Sequence, residues 1–199
     1  MNIDKTGQNN QTTTFNTRSA NAGSRTYQLV LTGIFAAVTA VCSWISIPLP
    51  SMIPINLAIL GVLLSAGCLG FKCGTMSQII YVLLGAIGVP VFAGFSGGFH
   101  VIAGPTGGYI IGYILCAMVV GFVSSRTKSV WALLGSMIAG VLICYTFGTI
   151  WYIHLMNISF AVGLAQCVIP FLPGDALKIA AALFLITRLR KTNVLSNIA

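Results

Sequence analysis

The chain has 199 residues, 57% of them hydrophobic and only 6% charged, with 22 glycines and a mean hydropathy of +0.96, which excludes a soluble domain and indicates an integral membrane protein. Ten Lys and Arg against two Asp and Glu leave a net charge of +8. In a soluble protein that balance would point to nucleic acid, but here the cations fall between apolar runs and no nucleic-acid partner is expected.

A membrane-spanning helix needs about 20 apolar residues, so the chain after its polar start has room for about six. The expected fold class is an all-α integral membrane protein: six transmembrane helices in one compact bundle, with re-entrant or capping outer loops. Residues 1–25 are rich in Asn, Thr, Ser and Gln and lack the apolar core of a secretory signal, so they read as a disordered cytoplasmic tail. Residues 26–191 form the membrane domain and 192–199 a second cytoplasmic tail.

The expected spans cover 27–47, ending at Pro48 and Pro50; 53–71, ending at Lys72; 75–89, after a turn at 72–74; 107–123; 130–150; and 174–189. Residues 151–173 are apolar enough to include an interfacial or re-entrant helix. The cations Lys5, Arg18, Arg25, Lys72, Arg126, Lys128, Arg188, Arg190 and Lys191 all fall on one side of this map. By the positive-inside tendency that side is the cytoplasm, with both termini inside. Six cysteines (42, 68, 73, 116, 144 and 167) form no paired motif and read as reduced small hydrophobes; neither a metal site nor a cofactor is expected.

Asp175 is the one carboxylate after residue 4, and Lys178 follows it by three positions. Pro170, Pro173 and Gly174 break the backbone just before, so Asp175 reads as the cap or first turn of the last span, with Lys178 on the same face. Each charge costs roughly 2.5–3.5 kcal/mol at membrane depth, whereas an exposed pair at this spacing returns only about 0.2–0.5 kcal/mol. A polar ligand is one reason for the placement, and a self-neutralising structural pair is the other.

The segment 90–109 holds six glycines in 20 residues and no charge. Irregular backbone at membrane depth persists only where protein or a wet cavity satisfies it, so this loop is expected to fold inward, with a tight outer turn as the alternative. Phe92, Phe95, Phe99 and Tyr109 suit an apolar ligand body or an interfacial belt; Trp44, Trp151 and Tyr152 are assigned to the belt. His100 could meet a ligand anion, His154 has only its position in its favour, and neither belongs to a catalytic or metal-binding motif. In the first span, Gly33/Ala37 and Ala36/Ala40 have small-residue spacing on adjoining faces, open to internal packing or to another subunit.

Three elements together, Gly-Val-Pro-Val-Phe-Ala-Gly at 88–94 with Gly98, Gly-Pro-Thr-Gly-Gly-Tyr at 104–109, and Phe-Leu-Pro-Gly-Asp-Ala-Leu-Lys at 171–178, resemble the BioY family, the biotin-binding S components of energy-coupling factor (ECF) transporters. The likeness runs over about residues 27–189. It implies a substrate-capture protein of a prokaryotic plasma membrane that works with a transmembrane coupling subunit and two cytoplasmic ATPases, and it is not an enzyme. By the same resemblance Asp175 and Lys178 would form the polar end of a biotin site. Tyr109, Thr106, Gly107, Gly108, Phe92, Gly94 and Gly98 would supply its other walls, and Ala36 and Ala40 the coupling-subunit interface. An S component for another small vitamin and an autonomous secondary carrier using Asp175 are the competing readings, whereas an intramembrane enzyme lacks a nucleophile and base set.

Overall fold

A computed structural model describes the backbone of residues 6–47 and 53–191, with side chains from Arg25 onward; Pro48, Pro50 and the tail 192–199 lie outside the described residues. Helix α1 runs Thr6–Trp44. Backbone helix thus begins at Thr6, inside the segment read from the sequence as a tail. Extending a helix that the apolar residues 26–44 have already nucleated is far less costly than starting one, so weak formers such as Asn and Thr can continue it. Beyond α1, β1 (Ser46–Ile47) and β2 (Ile55–Asn56) pair antiparallel, with Ser46 opposite Asn56.

Helix α2 spans Ala58–Ala86 and contains one residue outside helical geometry, Gly70, at φ 74° and ψ −165°. A Cβ on Gly74 would lie 2.8 Å from Ala66 Cα, and Gln78 Nε2 donates to Ser65 Oγ at 2.8 Å. In a straight helix those residues would be about 12 and 20 Å apart along the axis, so the chain reverses at Gly70 and the arms 58–69 and 71–86 lie side by side. The turn expected at 72–74 thus falls at Gly70, the position whose backbone only glycine adopts freely. Helix α4 (Gly107–Arg126) caps this tip: Phe71 N–H donates to Ser125 Oγ at 2.9 Å, and Gly121 lets the backbones touch.

Short helices follow in the glycine-rich segment, a 3-10 turn at Ala93–Phe95 and α3 at Phe99–Ala103. After α4 come α5 (Val130–Met156), α6 (Phe160–Cys167) and α7 (Leu172–Lys191), the last two bent by 48°. The expected helix between 151 and 173 is α6. Helices α4 and α5 approach through Gly112 against Cys144 and Gly140 against Cys116, where a Cβ would come within 3.0 and 2.8 Å of the sulfur. Gln78, fully buried, also donates to Thr39 Oγ1 at 3.1 Å and so ties α1 to both arms of α2, a polar join of the kind that holds helices together where lipid supplies no hydrophobic drive.

Four helices, residues 25–44 of α1, α2, α4 and α5, are long and apolar enough to cross a membrane, and α6 with α7 makes a fifth candidate. The architecture is thus mostly helical and multi-pass. Arg190 donates to Ser124 Oγ at 2.6 Å and Gly67 O at 3.2 Å, bringing the end of α7, with Arg188 and Lys191, to the Gly70 turn beside Lys72 and Arg126. Ala36 and Ala40 are only 3% and 6% exposed, in the core against α2, so neither lies on a surface that another subunit can reach. Gly33 and Ala37 occupy the outward face instead.

Gly70→Ala should cost about 1–3 kcal/mol, because a Cβ is strained at this φ and ψ and would also meet Ser125 Oγ. Thermal melts of the purified protein check this; an unchanged melting temperature would show that the reversal does not depend on glycine.

Candidate ligand cavity

At the end of the bundle opposite the Gly70 turn, a cavity of about 640 Å³ opens among α1, the β1–β2 pair, both arms of α2, the 92–96 segment, α4, α5 and α7. That size suits a small organic ligand. Its charged wall comes from α7. The Asp175 N–H donates to Phe171 O at 2.8 Å, which places the carboxylate in the first helical turn, where exposed peptide N–H groups favour a negative charge. One turn on, Lys178 Nζ meets Asp175 Oδ1 at 2.6 Å, and the Tyr145 hydroxyl of α5 donates to Oδ2. Asp175 and Lys178 are only 5% and 6% exposed, yet both line the cavity. Among the described residues the ammonium makes one hydrogen bond, so two of its three N–H groups are free to meet a ligand.

The remaining walls are aromatic and weakly polar. Phe92 is buried edge-on against Tyr81 at 5.5 Å between centroids, and the Tyr81 hydroxyl donates to Ser43 Oγ at 3.1 Å. Trp44 stacks on Phe95 at 5.0 Å, its indole N–H held by Pro90 O at 2.8 Å. Both rings line the cavity, so Trp44 is not the belt residue expected of it. Ser46, Asn56, Ser96 and Thr106 supply neutral polar atoms.

Six of the expected site residues therefore meet in one cavity: Asp175, Lys178, Tyr109, Thr106, Phe92 and Gly94. Tyr109 contributes its ring, because its hydroxyl donates to Cys167 O at 3.1 Å and so braces α6. Gly98, Gly107 and Gly108 are not on the cavity wall. Gly98 turns the chain at φ 106° and donates to Gly85 O at 2.6 Å; a Cβ on Gly107 would sit 1.7 Å from Ile102 O, and one on Gly108 2.4 Å from Trp151 Cβ. Their smallness serves close backbone packing. Phe99, His100 and His154 are exposed away from the cavity, and Tyr152 is buried, donating to Gln166 Oε1 at 3.2 Å, not interfacial. Tyr145, Tyr113, Ser43 and Asn56 were not anticipated. The available signal was a tyrosine hydroxyl inside an apolar run, which needs a buried partner.

A helical membrane bundle with an amphipathic cavity at one end defines a class, the small-solute-binding membrane proteins. The BioY family model matches residues 11–194, and the chain belongs to the BioY family, a family of transport components and not of enzymes. It is 42% identical to the biotin transporter BioY of Thermotoga maritima over 170 residues, covering 84% of this chain and 98% of that one. Identity to the probable biotin transporter BioY of Pyrococcus horikoshii is 36% over 165 residues, covering 82% and 96%. Among solved structures it is similar to the S-component for biotin from an ECF-type ABC transporter, with a TM-score of 0.79, 28% identity, and 85% and 93% coverage.

Proposed function

We propose that this protein is the biotin-binding S component of an ECF-type importer, capturing biotin from outside a prokaryotic plasma membrane and passing it to a coupling membrane subunit driven by two cytoplasmic ATPases. The single observation that carries the reading is the buried Asp175–Lys178 pair on the wall of a cavity of ligand size, with unused ammonium donors. A ureido ring presents two N–H donors and one carbonyl acceptor. The remaining lone pairs of the carboxylate accept the former, and the ammonium donates to the latter. Phe92, Tyr109 and Trp44 supply apolar surface for the bicyclic body. The names of the relatives and of the solved neighbour point to the same solute.

Six membrane crossings are part of this reading, with the two arms of α2 counted separately and α6 regarded as a cap on α7. The cation-bearing end then faces the cytoplasm, together with the tails 1–25 and 192–199, and the cavity lies in the outer half. A reporter fused after Lys191 should be active only in the cytoplasm, and biotin uptake should cease when the coupling ATPases are removed. Undiminished uptake without them would make the protein an autonomous carrier.

Asp175→Asn and Lys178→Met should each weaken biotin binding by about 1.5–3 kcal/mol, the scale of a hydrogen bond to a charged group. Each single variant also strands a buried partner and lowers stability, whereas Asp175→Asn/Lys178→Met removes both charges and recovers the fold. If the pair contacts ligand, the refolded double variant binds no better than the weaker single one. Near-native affinity in that variant, measured by calorimetric titration beside thermal melts, would reduce the pair to a structural ion pair.

A further inference from the structure

A second, smaller hollow of about 300 Å³ lies at the cationic end of the bundle, between α1 and the 71–86 arm of α2. Arg25 and Lys72 flank it, and Gln28, Thr32, Leu29 and Met76 line it. Both cations are exposed, and among the described residues neither has an ion-pair partner. The other arginines described at this end are engaged: Arg126 lies 4.3 Å from the Phe122 ring centroid, Arg188 5.2 Å from that of Phe184, and Arg190 is bonded to Ser124. Just two carboxylates occur in the sequence, and Asp175 is bound to Lys178 at the opposite end. Leu29 and Met76 are 70% and 49% exposed and extend the hollow with apolar surface. The site thus pairs a divided positive charge with an apolar wall at the cation-bearing end of the bundle.

We propose that this groove binds an anionic phospholipid, with its phosphate between Arg25 and Lys72 and an acyl chain along Leu29 and Met76. Charge complementarity selects the headgroup, and the apolar wall selects a lipid over a free anion, since inorganic phosphate would leave Leu29 and Met76 uncovered. Basic hollows between transmembrane helices are the usual seat of anionic headgroups. The groove is separate from the biotin cavity, so the inference stands independently of the solute.

Native mass spectrometry of the purified full chain, titrated with phosphatidylglycerol or with phosphatidylcholine of the same acyl chains, tests it. Wild type should retain phosphatidylglycerol preferentially, and equimolar inorganic phosphate should not displace it. Arg25→Gln/Lys72→Gln should weaken that binding roughly thirtyfold, the sum expected for two cations near a charged headgroup. Lys128→Gln/Lys191→Gln, which removes the same charge at the same end, should leave it unchanged, and Arg25→Lys/Lys72→Arg should preserve it even if the neutral variant folds poorly. Equal loss in the two neutral variants, no headgroup preference in wild type, or displacement by phosphate would overturn the proposal. So would retention of the lipid by Arg25→Gln/Lys72→Gln with loss of a protein partner, which would make the groove a docking face.

Discussion

A carboxylate and an ammonium 2.6 Å apart inside a membrane bundle are the constraint on which the rest of this structure depends. Each charge costs roughly 2.5–3.5 kcal/mol to place at membrane depth, and mutual attraction offsets this only where geometry and further hydrogen bonds are good. Around Asp175 those conditions are met by two helices. Helix α7 begins three residues earlier, so its N-terminal peptide groups favour the negative charge, and α5 brings the Tyr145 hydroxyl to the second carboxylate oxygen. Lys178 is the less satisfied partner, and its open donors face the cavity.

Holding α5 and α7 at that spacing requires close packing elsewhere, and glycine provides it. Gly112 and Gly140 let α4 and α5 approach to sulfur contact, Gly148 accommodates the Tyr109 ring, and Gly67 accepts Ile186 of α7. The reversal at Gly70 lets one short segment supply two arms of the bundle, and Gln78 locks those arms to α1. Charge is correspondingly segregated: the neutral ion pair sits at the cavity end, and Arg25 and Lys72, without an ion-pair partner among the described residues, sit exposed at the other.

Much of this was legible in the sequence for physical reasons. Asp175 stands out because a carboxylate is costly in an apolar chain, and Pro173 with Gly174 marks the start of its helix. The glycine-rich segment before α4 reads as pocket-forming, and Phe92 and Gly94 do line the cavity. The first span was harder to read. Ala36/Ala40 and Gly33/Ala37 differ by one step of helical phase, and in lipid both faces of a helix are apolar, so periodicity carries no sign of which points inward. A similar ambiguity affected the glycines: Gly70 and Gly74 are alike in sequence, and only the backbone geometry separates the turn from the contact. Gly107 and Gly108 pack against neighbouring segments while Thr106 and Tyr109 beside them reach the cavity, a distinction made by contacts distant in sequence. Tyr145 was hidden because its partner lies 30 residues away on another helix.

The central claim is that the Asp175–Lys178 pair is the polar end of the solute site. An experimentally determined structure of the protein with biotin bound tests it most directly. The account predicts the ureido ring within hydrogen-bonding distance of the Asp175 carboxylate and the Lys178 ammonium, with the bicyclic body between Phe92, Tyr109 and Trp44. A ureido ring placed elsewhere, with the ion pair intact and untouched by ligand, would contradict it.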